Sequence, residues 1–202
     1  MESALCAVVH NNHLSPRYQP VLDLRWGSLE GYEALVRWVR GEQEVSPGLF
    51  IPLAEEGSLI HTLDVRVLER GLGQLRQWSR LGAHPMLSLN LSSQSLHRPG
   101  VVAQVEALLG EFGIDLAQVM LEITETSLIA DPERSKRAIS EFQALGLRVA
   151  IDDFGSGYAS LGYLRQLPIN RLKVDKSLDL EVLAEGIETK EQLERLTAQG
   201  FD

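Results

Sequence analysis

Two adjacent carboxylates, Asp152 and Asp153, end an apolar run that begins at Val149, and a loop with two glycines follows them. Two carboxylates side by side at the end of a strand repel each other, and one of them is usually neutralised. A pair of divalent cations that shares the two side chains would remove this repulsion and would supply metal for catalysis. The alternative is a strand that runs into an acidic, solvated turn, and the pair alone does not decide between the two.

Polar residues of metal-ligand or acid–base type recur in or at the ends of successive predicted strands. They are Glu33, Asn90, Glu122, the pair Asp152 and Asp153, Lys173 and Glu185. One polar strand end is common in edge strands, whereas six in succession are hard to explain by solvation. A βα barrel builds its active site in this way, at the carboxyl ends of its strands.

The types of these side chains favour a hard divalent cation. The chain has one cysteine and no pair of histidines at ligand spacing, so its carboxylate and amide oxygens suit Mg²⁺ or Mn²⁺ better than zinc. Two such ions about 3.5–4 Å apart can activate a water molecule and stabilise the leaving oxygen of a phosphodiester. No serine, cysteine or histidine is arranged as a covalent nucleophile, so direct attack by water is the economical mechanism.

We expect Asp152 to bridge the two ions and Asp153 to serve one of them. The ligands that complete the other ion's site would be Glu33, Asn90 and Glu122. Lys173 would orient the attacking hydroxide or neutralise charge on the transition state. The alternative for this lysine is a structural ion pair with Asp175 or Glu185.

The periodicity of apolar residues predicts the elements that must carry these side chains. The predicted strands are 17–24, 29–38, 86–91, 119–125, 147–153, 171–175 and 181–185. The predicted helices are 2–13, 61–81, 100–112, 131–146, 159–166 and 189–200. Alternating strands and amphipathic helices indicate parallel βα units. The glycine-rich loops of dinucleotide-binding folds and of phosphate-loop NTPases are absent from the sequence, so neither class is supported.

Composition excludes several other classes. With 202 residues the chain fits one domain over 1–202, and its net charge of −9 argues against a long nucleic-acid partner. The single cysteine, Cys6, allows no internal disulfide and favours a reducing compartment. The first residues do not have the pattern of a signal peptide, and no stretch approaches the roughly 18 apolar residues of a membrane span. We therefore expect a cytoplasmic domain that makes no membrane contact itself.

Six short motifs, in order, resemble those of the EAL domain family of cyclic di-GMP phosphodiesterases. They are Glu33-Ala-Leu-Val-Arg-Trp38, Leu89-Asn-Leu-Ser92, Glu122-Ile-Thr-Glu125, Asp152-Asp-Phe-Gly-Ser-Gly-Tyr-Ala-Ser-Leu161, Lys173-Val-Asp175 and Ala184-Glu-Gly-Ile-Glu-Thr189. The resemblance covers about Tyr18 to Asp202. It implies a TIM-like (βα)8 barrel with an antiparallel first strand, and the metal-dependent opening of cyclic di-GMP to linear pGpG.

The resemblance also implies a role for each matched residue. Metal ligation is implied for Glu33, Asn90, Glu122, Asp152 and Asp153. Catalytic roles around the water and the second ion are implied for Lys173, Glu185 and Glu33. Glu125 resembles the residue that holds the loop after the aspartate pair. Substrate contacts are implied for Gln19, Leu35, Arg37, Asp175 and Glu188. For Arg37 there is independent support, because it shares a strand face with Glu33 and guanidinium suits phosphate.

The implied cofactors are two divalent cations, Mg²⁺ or Mn²⁺. Calcium is expected to bind but to support poor turnover, because it takes more ligands in looser geometry. The implied partners are cyclic di-GMP, a second copy of the chain, and sensor or diguanylate cyclase domains in a larger parent protein. The alternative to an enzyme is a catalytically inactive cyclic di-GMP receptor or interaction module.

Two features depart from the family pattern. Only five residues, 176–180, separate the predicted strand 171–175 from the next one at 181–185, whereas a parallel crossover needs a dozen or more residues. The chain thus lacks the sixth crossover helix, and it stops before an eighth strand. We expect the join at Leu178–Asp179 to be a splice in the sequence. A true deletion, which would give an inactive domain, is the alternative.

Overall fold

In a computed structural model of the protein, the described residues are 2–10, 14–23, 26, 28–41, 43–155 and 161–174. The helices are α1 Glu2–His10, α2 Pro47–Glu56, α3 Ile60–Arg80, α4 Ser93–Leu96, α5 Val101–Phe112, α6 Glu125–Ala130, α7 Pro132–Ala144 and α8 Leu161–Leu164. The strands are β1 Ser15–Asp23, β2 Ser28–Arg40, β3 Gln43–Val45, β4 Met86–Asn90, β5 Val119–Thr124, β6 Arg148–Phe154 and β7 Arg171–Val174.

The strands form one mostly parallel sheet in the order β1-β2-β4-β5-β6-β7, with β3 paired to the outer end of β2. β1 runs antiparallel to β2, which confirms the expected antiparallel first strand. Each later pair in this order is parallel. The α/β class with parallel βα units is therefore confirmed in the described part of the chain.

The sheet is strongly curved. The evidence is that side chains of β7 contact those of β2, although the two strands are not neighbours in the sheet. Lys173 lies 3.2 Å from Glu33, measured from its ammonium nitrogen to a carboxylate oxygen. Arg171, at the start of β7, forms an ion pair with Glu30 of β2. Contacts between the first parallel strand and the last described one require the curvature of a barrel.

Local signals explain where several helices begin and end. α7 starts at Pro132, and the side chain of Asp131 accepts the N–H of Arg134 at 3.1 Å, as expected for an Asp-Pro start. α5 ends at Gly113, whose φ of 62° is the left-handed conformation typical of a helix end. The core lies between the helices and the outer face of the sheet, with residues such as Leu72 and Leu89 fully buried.

The structure adds elements that the periodicity did not predict. β3 and α2 lie in a stretch for which we predicted no element, and Pro52 inside α2 weakens the helix signal there. α2 forms there because it buries Phe50 and Ala54 completely. β5 ends one residue earlier than predicted, since the Thr124 side chain accepts the N–H of Ser127 and so starts α6.

The buried stripe of α3 also differs from the prediction. Leu68, Leu72 and Leu75 are buried as predicted, but Val65 is only half-buried. The inward face starts at Ile60 and includes Asp64, so it is shifted around the helix axis from the predicted one.

Several predictions fall on residues that the structure does not describe. These are the strand 181–185, the helix 189–200, the junction Leu178–Asp179, and the absence of a sixth crossover helix and an eighth strand. Within the described ranges, no helix combines the length and the apolar character needed to cross a membrane.

Candidate active site

The structure brings together three carboxylates from three strands at the carboxyl end of the sheet. Glu33 of β2, Glu122 of β5 and Asp152 of β6 each place one carboxylate oxygen within 4.8 Å of the other two. The strand register explains the convergence, because Glu122 pairs with Asn90 on one side and Asp152 pairs with Thr124 on the other. Glu33 lies in the middle of the longer strand β2, level with Ser88 near the carboxyl end of β4, so its side chain meets those from the ends of β5 and β6.

Lys173 of β7 binds all three carboxylates. Its ammonium nitrogen lies 2.7 Å from Glu122, 2.9 Å from Asp152 and 3.2 Å from Glu33. Burial by itself lowers the pKa of Lys173, but the hydrogen bonds to Glu122 and Asp152, with the charges of Glu122 and Glu33, outweigh that effect and raise it well above its usual range. Lys173 is therefore an ammonium ion at neutral pH. Its alternative pairing with Asp175 or Glu185 involves residues outside the described ranges.

Glu122 is the most buried carboxylate of the three, with 3% of its surface exposed. Burial raises the pKa of Glu122, while the hydrogen bond from Lys173 opposes the rise and the nearby charge of Glu33 adds to it. A buried carboxylate of this kind favours a cation beside it, because an uncompensated charge is expensive in a low-dielectric interior.

Asn90 and Asp153 flank the three carboxylates. The Asn90 amide donates to the Glu33 carboxylate at 3.2 Å. Asp153 has an exposed side chain and a φ of 55°, which is rare for a residue other than glycine. Its backbone N–H donates to the Asp152 carboxylate at 3.0 Å. Both residues therefore lie beside the three-carboxylate group, although Asp153 is not one of its members.

Glu125 lies below the loop that follows the aspartate pair. Its side chain is almost completely buried, with 1% of its surface exposed, and a carboxylate oxygen accepts the N–H of Gly155 at 2.6 Å. Gly155 has a φ of 100°, so a side chain at this position would strain the turn. This contact joins the start of the loop to α6.

A cavity of about 560 Å³ opens over the carboxylates. Leu35 and Arg37 line it from β2, together with Asn90, Asp153 and the three carboxylates. Gln19 is exposed and pairs directly with Glu33 across β1 and β2, so it faces the same side of the sheet. The other predicted site residues, Asp175, Glu185 and Glu188, lie outside the described residues.

The structure shows a buried acid that the sequence analysis did not identify. Asp64 of α3 has 6% of its surface exposed, and its carboxylate accepts the N–H of Ser92 at 3.1 Å and the hydroxyl of Ser92 at 2.5 Å. Burial raises the pKa of Asp64 to about 6, and the hydrogen bonds from Ser92 and Ser95 oppose the rise. In the sequence, the signal for this buried acid is an aspartate inside the apolar stripe of α3.

The donor set fits a hard divalent cation. One oxygen from each of three carboxylates lies within 4.8 Å of the other two, and an amide lies beside them. Oxygen donors in this number are the preferred ligands of Mg²⁺ and Mn²⁺.

The chain matches the family model described as "EAL domain" over residues 2–179. It is 35% identical to an uncharacterised protein of Azorhizobium caulinodans. The match covers 100% of this chain and 32% of that protein. It is 35% identical to the cyclic di-GMP phosphodiesterase NbdA of Pseudomonas aeruginosa, over 96% of this chain and 28% of that protein. The chain thus spans about a third of the length of such curated relatives.

Solved structures share the fold. The PaMucR phosphodiesterase in its c-di-GMP complex superposes with a TM-score of 0.82 at 31% identity, covering 99% of this chain and 92% of that one. The FimX EAL domain of Pseudomonas aeruginosa bound to c-di-GMP has a TM-score of 0.80 at 26% identity, with 98% and 80% of the two chains covered. These neighbours confirm the TIM-like barrel class. With the family model matched over most of its length, the chain belongs to the EAL domain family.

Proposed function

We propose that this chain hydrolyses cyclic di-GMP to linear pGpG with the help of Mg²⁺ or Mn²⁺. The observation that carries the proposal is the convergence of Glu33, Glu122 and Asp152 around Lys173 at the floor of the cavity. Two relatives support it, because NbdA is a cyclic di-GMP phosphodiesterase and PaMucR is a phosphodiesterase seen with c-di-GMP.

The chain's own carboxylates and amide would hold the cations. Glu33, Glu122, Asp152 and Asn90 are the proposed ligands of one ion, and Asp153 is a proposed ligand of the other. Bound divalent cations supply positive charge that favours ionised water and stabilises negative charge at a phosphate. Glu122 is buried, so a cation held beside it would act in surroundings of lower dielectric constant than water.

Lys173 acts as a cation and hydrogen-bond donor in this proposal. Its contacts with the three carboxylates favour the protonated form, so its proposed role is that of a donor and not of a base. It can donate hydrogen bonds to a water molecule or to a phosphate oxygen and can offset charge that develops there. Glu185, the second proposed catalytic residue, is proposed from sequence alone.

Arg37 is the proposed phosphate contact of the substrate. Its side chain lines the cavity, and 22% of its surface is exposed. A guanidinium group binds phosphate through paired N–H donors in a fixed plane. Gln19 and Leu35 lie on the same side of β1 and β2 and are proposed to contact the rest of the substrate.

The test is hydrolysis of cyclic di-GMP by the purified chain, followed by chromatography for pGpG in Mg²⁺, in Mn²⁺ and in a chelator. We expect product only with a divalent cation, and none from Asp152→Asn, which removes one carboxylate charge. A folded Asp152→Asn protein with full activity would refute the metal assignment. Binding of cyclic di-GMP without turnover by the unmodified chain would select the receptor function instead.

A further inference from the structure

The guanidinium of Arg37 is held at two of its nitrogens. Its Nε donates to a Glu44 carboxylate oxygen at 3.0 Å, and one terminal nitrogen donates to the carbonyl oxygen of Val36 at 2.9 Å. The remaining N–H groups are on the terminal edge, which is the part of arginine that binds a phosphate in paired fashion. The two contacts therefore fix the plane of the guanidinium while they leave donors available.

Glu44 is itself held in place from the other side. Its second carboxylate oxygen lies 2.9 Å from a terminal nitrogen of Arg17, which is on β1. Glu44 belongs to β3, where it pairs with Val39, two residues beyond Arg37 on β2. Residues paired directly across antiparallel strands share a face, so β1, β2 and β3 present these three charged side chains on one side of the sheet.

The two partners differ in their relation to the cavity. Arg37 lines it, whereas Glu44 is not one of its lining residues. The carboxylate of Glu44 thus contacts Arg37 from outside the cavity lining, and its charge is shared between two guanidinium groups. This arrangement is suited to holding the arginine and unsuited to occupying the place of a ligand.

We propose that Glu44 is a positioning residue for substrate binding, which keeps Arg37 in the orientation that a substrate phosphate requires. The inference rests on the proposed function, because it takes cyclic di-GMP as the ligand. Arginine has several rotatable bonds, and fixing them in advance removes an entropic cost from binding. Neither the family motifs nor the sequence pattern indicated a role for residue 44.

The alternative is that Glu44 competes with the substrate phosphate for Arg37. Removing Glu44 would then strengthen substrate binding, and the loss of its negative charge would act in the same direction. Positioning predicts the reverse sign. The sign of the change in KM therefore separates the two.

The experiment measures KM and kcat for cyclic di-GMP in Mg²⁺ for the unmodified chain, Glu44→Ala, Arg37→Ala and the double variant. We expect Glu44→Ala to raise KM about three- to ten-fold, with a smaller change in kcat. In the Arg37→Ala background, Glu44→Ala should not raise KM further, because Glu44 acts through Arg37. Glu44→Gln keeps one acceptor oxygen and should recover part of the loss.

Glu111→Ala is the matched control, since Glu111 is an exposed glutamate on α5 and its loss changes the net charge equally. We expect its KM to equal that of the unmodified chain. An unchanged or lowered KM in Glu44→Ala, or an equal rise in the Arg37→Ala background, overturns the positioning role.

A failure of the proposed function is distinguishable from a failure of this inference. If the unmodified chain binds cyclic di-GMP without turnover, hydrolysis fails, and calorimetric titration of the same variants with cyclic di-GMP tests Glu44 by dissociation constants. A three- to ten-fold weaker dissociation constant in Glu44→Ala then supports the inference, and an unchanged one overturns it. Absence of any binding by the unmodified chain overturns both.

Discussion

Asp153, the proposed ligand of the second ion, has a backbone conformation that aspartate disfavours. Its φ of 55° is in the left-handed region, which costs an ordinary residue roughly 1–2 kcal/mol and aspartate somewhat less. Unfavourable backbone conformations of this kind are found at functional sites, where the surrounding structure holds them. The adjacent carboxylate of Asp152 adds repulsion. The backbone conformation of Asp153 therefore lowers the stability of the fold, and the proposed role as a metal ligand would explain why an aspartate occupies this position.

We expect Asp153→Gly to raise the free energy of unfolding by about 0.5–1 kcal/mol while it abolishes hydrolysis. Glycine tolerates the left-handed conformation, and the variant loses the proposed ligand of the second ion. Urea unfolding in a chelator measures the first effect, and the pGpG assay measures the second. Asp153→Ala is the control, since it removes the charge but keeps a Cβ. Its free energy of unfolding should therefore rise less than that of Asp153→Gly. A less stable glycine variant would show that the conformation carries no strain.

Asp64 makes stability depend on pH. The folded protein raises its pKa from 3.8 to about 6, so the folded state binds the proton more tightly than the unfolded chain does. The stability associated with Asp64 is therefore greatest below about pH 4, falls as the pH rises to about 6, and stays low above it. Because a pKa difference of about two units corresponds to about 2–3 kcal/mol, the effect is measurable.

Asp64→Asn should therefore gain stability relative to the unmodified chain as the pH rises from 4.5 to 7.5, by up to about 2–3 kcal/mol. The amide oxygen still accepts a hydrogen bond from Ser92, and asparagine carries no charge to bury. The measurement is the difference in free energy of unfolding between the two proteins at each pH. A difference that is constant with pH would contradict the raised pKa.

Residue types predicted the acidic group well, because carboxylates at strand ends stand out in a sequence of alternating elements. Glu33, Glu122 and Asp152 meet as that pattern required. The sequence did not predict the three carboxylate contacts of Lys173, for which it suggested a role at the attacking hydroxide or the transition state and, as the alternative, an ion pair with Asp175 or Glu185. The contact between Glu44 and Arg37 depends on how β3 folds back along β2, which no local pattern encodes.

The strands β2 and β4 approach each other closely at Gly31 and Met86, where their parallel pairing begins. Gly31 pairs with Met86, and a Cβ added at Gly31 would lie 2.2 Å from the Met86 carbonyl oxygen. Such a contact cannot be relieved by rotating a side chain, because the atom belongs to the backbone. The glycine thus sets the separation of the strands that carry Glu33 and Asn90.

Gly31→Ala should lower the free energy of unfolding by about 2–3 kcal/mol, because the two strands must move apart. Hydrolysis should also fall, since Glu33 follows two residues later on β2. The control is Gly110→Ala in α5, where an added Cβ meets no atom within 4 Å and alanine should stabilise the helix by up to about 1 kcal/mol. Both values come from urea unfolding. Equal stability of Gly31→Ala and the unmodified chain would contradict the close approach.

Predictions of elements succeeded where periodicity and end signals agreed, as in α5 and α7. They failed for α2, because Pro52 inside the helix argues against one and only the burial of Phe50 and Ala54 outweighs it. They also missed α4 and α6, which are single short turns that begin at Ser92 and Thr124 caps. Short capped turns depend on one hydrogen bond and leave little periodic signal.

Lys173 links the last described strand, β7, to the first parallel strand, β2, and offsets part of the negative charge at the carboxyl edge of the sheet. Removing the ammonium would leave three carboxylates close together without the cation that binds all three. We expect Lys173→Met to lower the free energy of unfolding in a chelator by about 2–4 kcal/mol. Mg²⁺ should then stabilise this variant more than it stabilises the unmodified chain, because the cation no longer competes with Lys173 for the same oxygens.

Thermal or urea unfolding with and without Mg²⁺ measures both effects. Lys136→Met on the exposed face of α7 is the control for charge, and it should leave the Mg²⁺ response unchanged. Equal stabilisation of all three proteins by Mg²⁺ would argue that the ion binds elsewhere.

The length of the chain bears on the predicted splice at Leu178–Asp179. The alignment with the Azorhizobium caulinodans protein runs over 234 residues, whereas this chain has 202, so that relative carries residues where this chain has none. A return helix between two parallel strands requires an insertion of this order. The splice stays a prediction, as do the sensor or cyclase domains of a longer parent protein.

The contact between Lys173 and Glu33 spans 140 positions of the chain. A ribosome adds about 5–20 residues each second, so Glu33 is added to the chain roughly 7–28 seconds before Lys173. Glu122 and Asp152 lie 51 and 21 positions before Lys173, so all three carboxylates are present without the ammonium for about 1–4 seconds. The order of synthesis therefore makes β7 the strand on which the pairing of all three carboxylates depends, and the growing chain cannot complete this cluster before that strand is added.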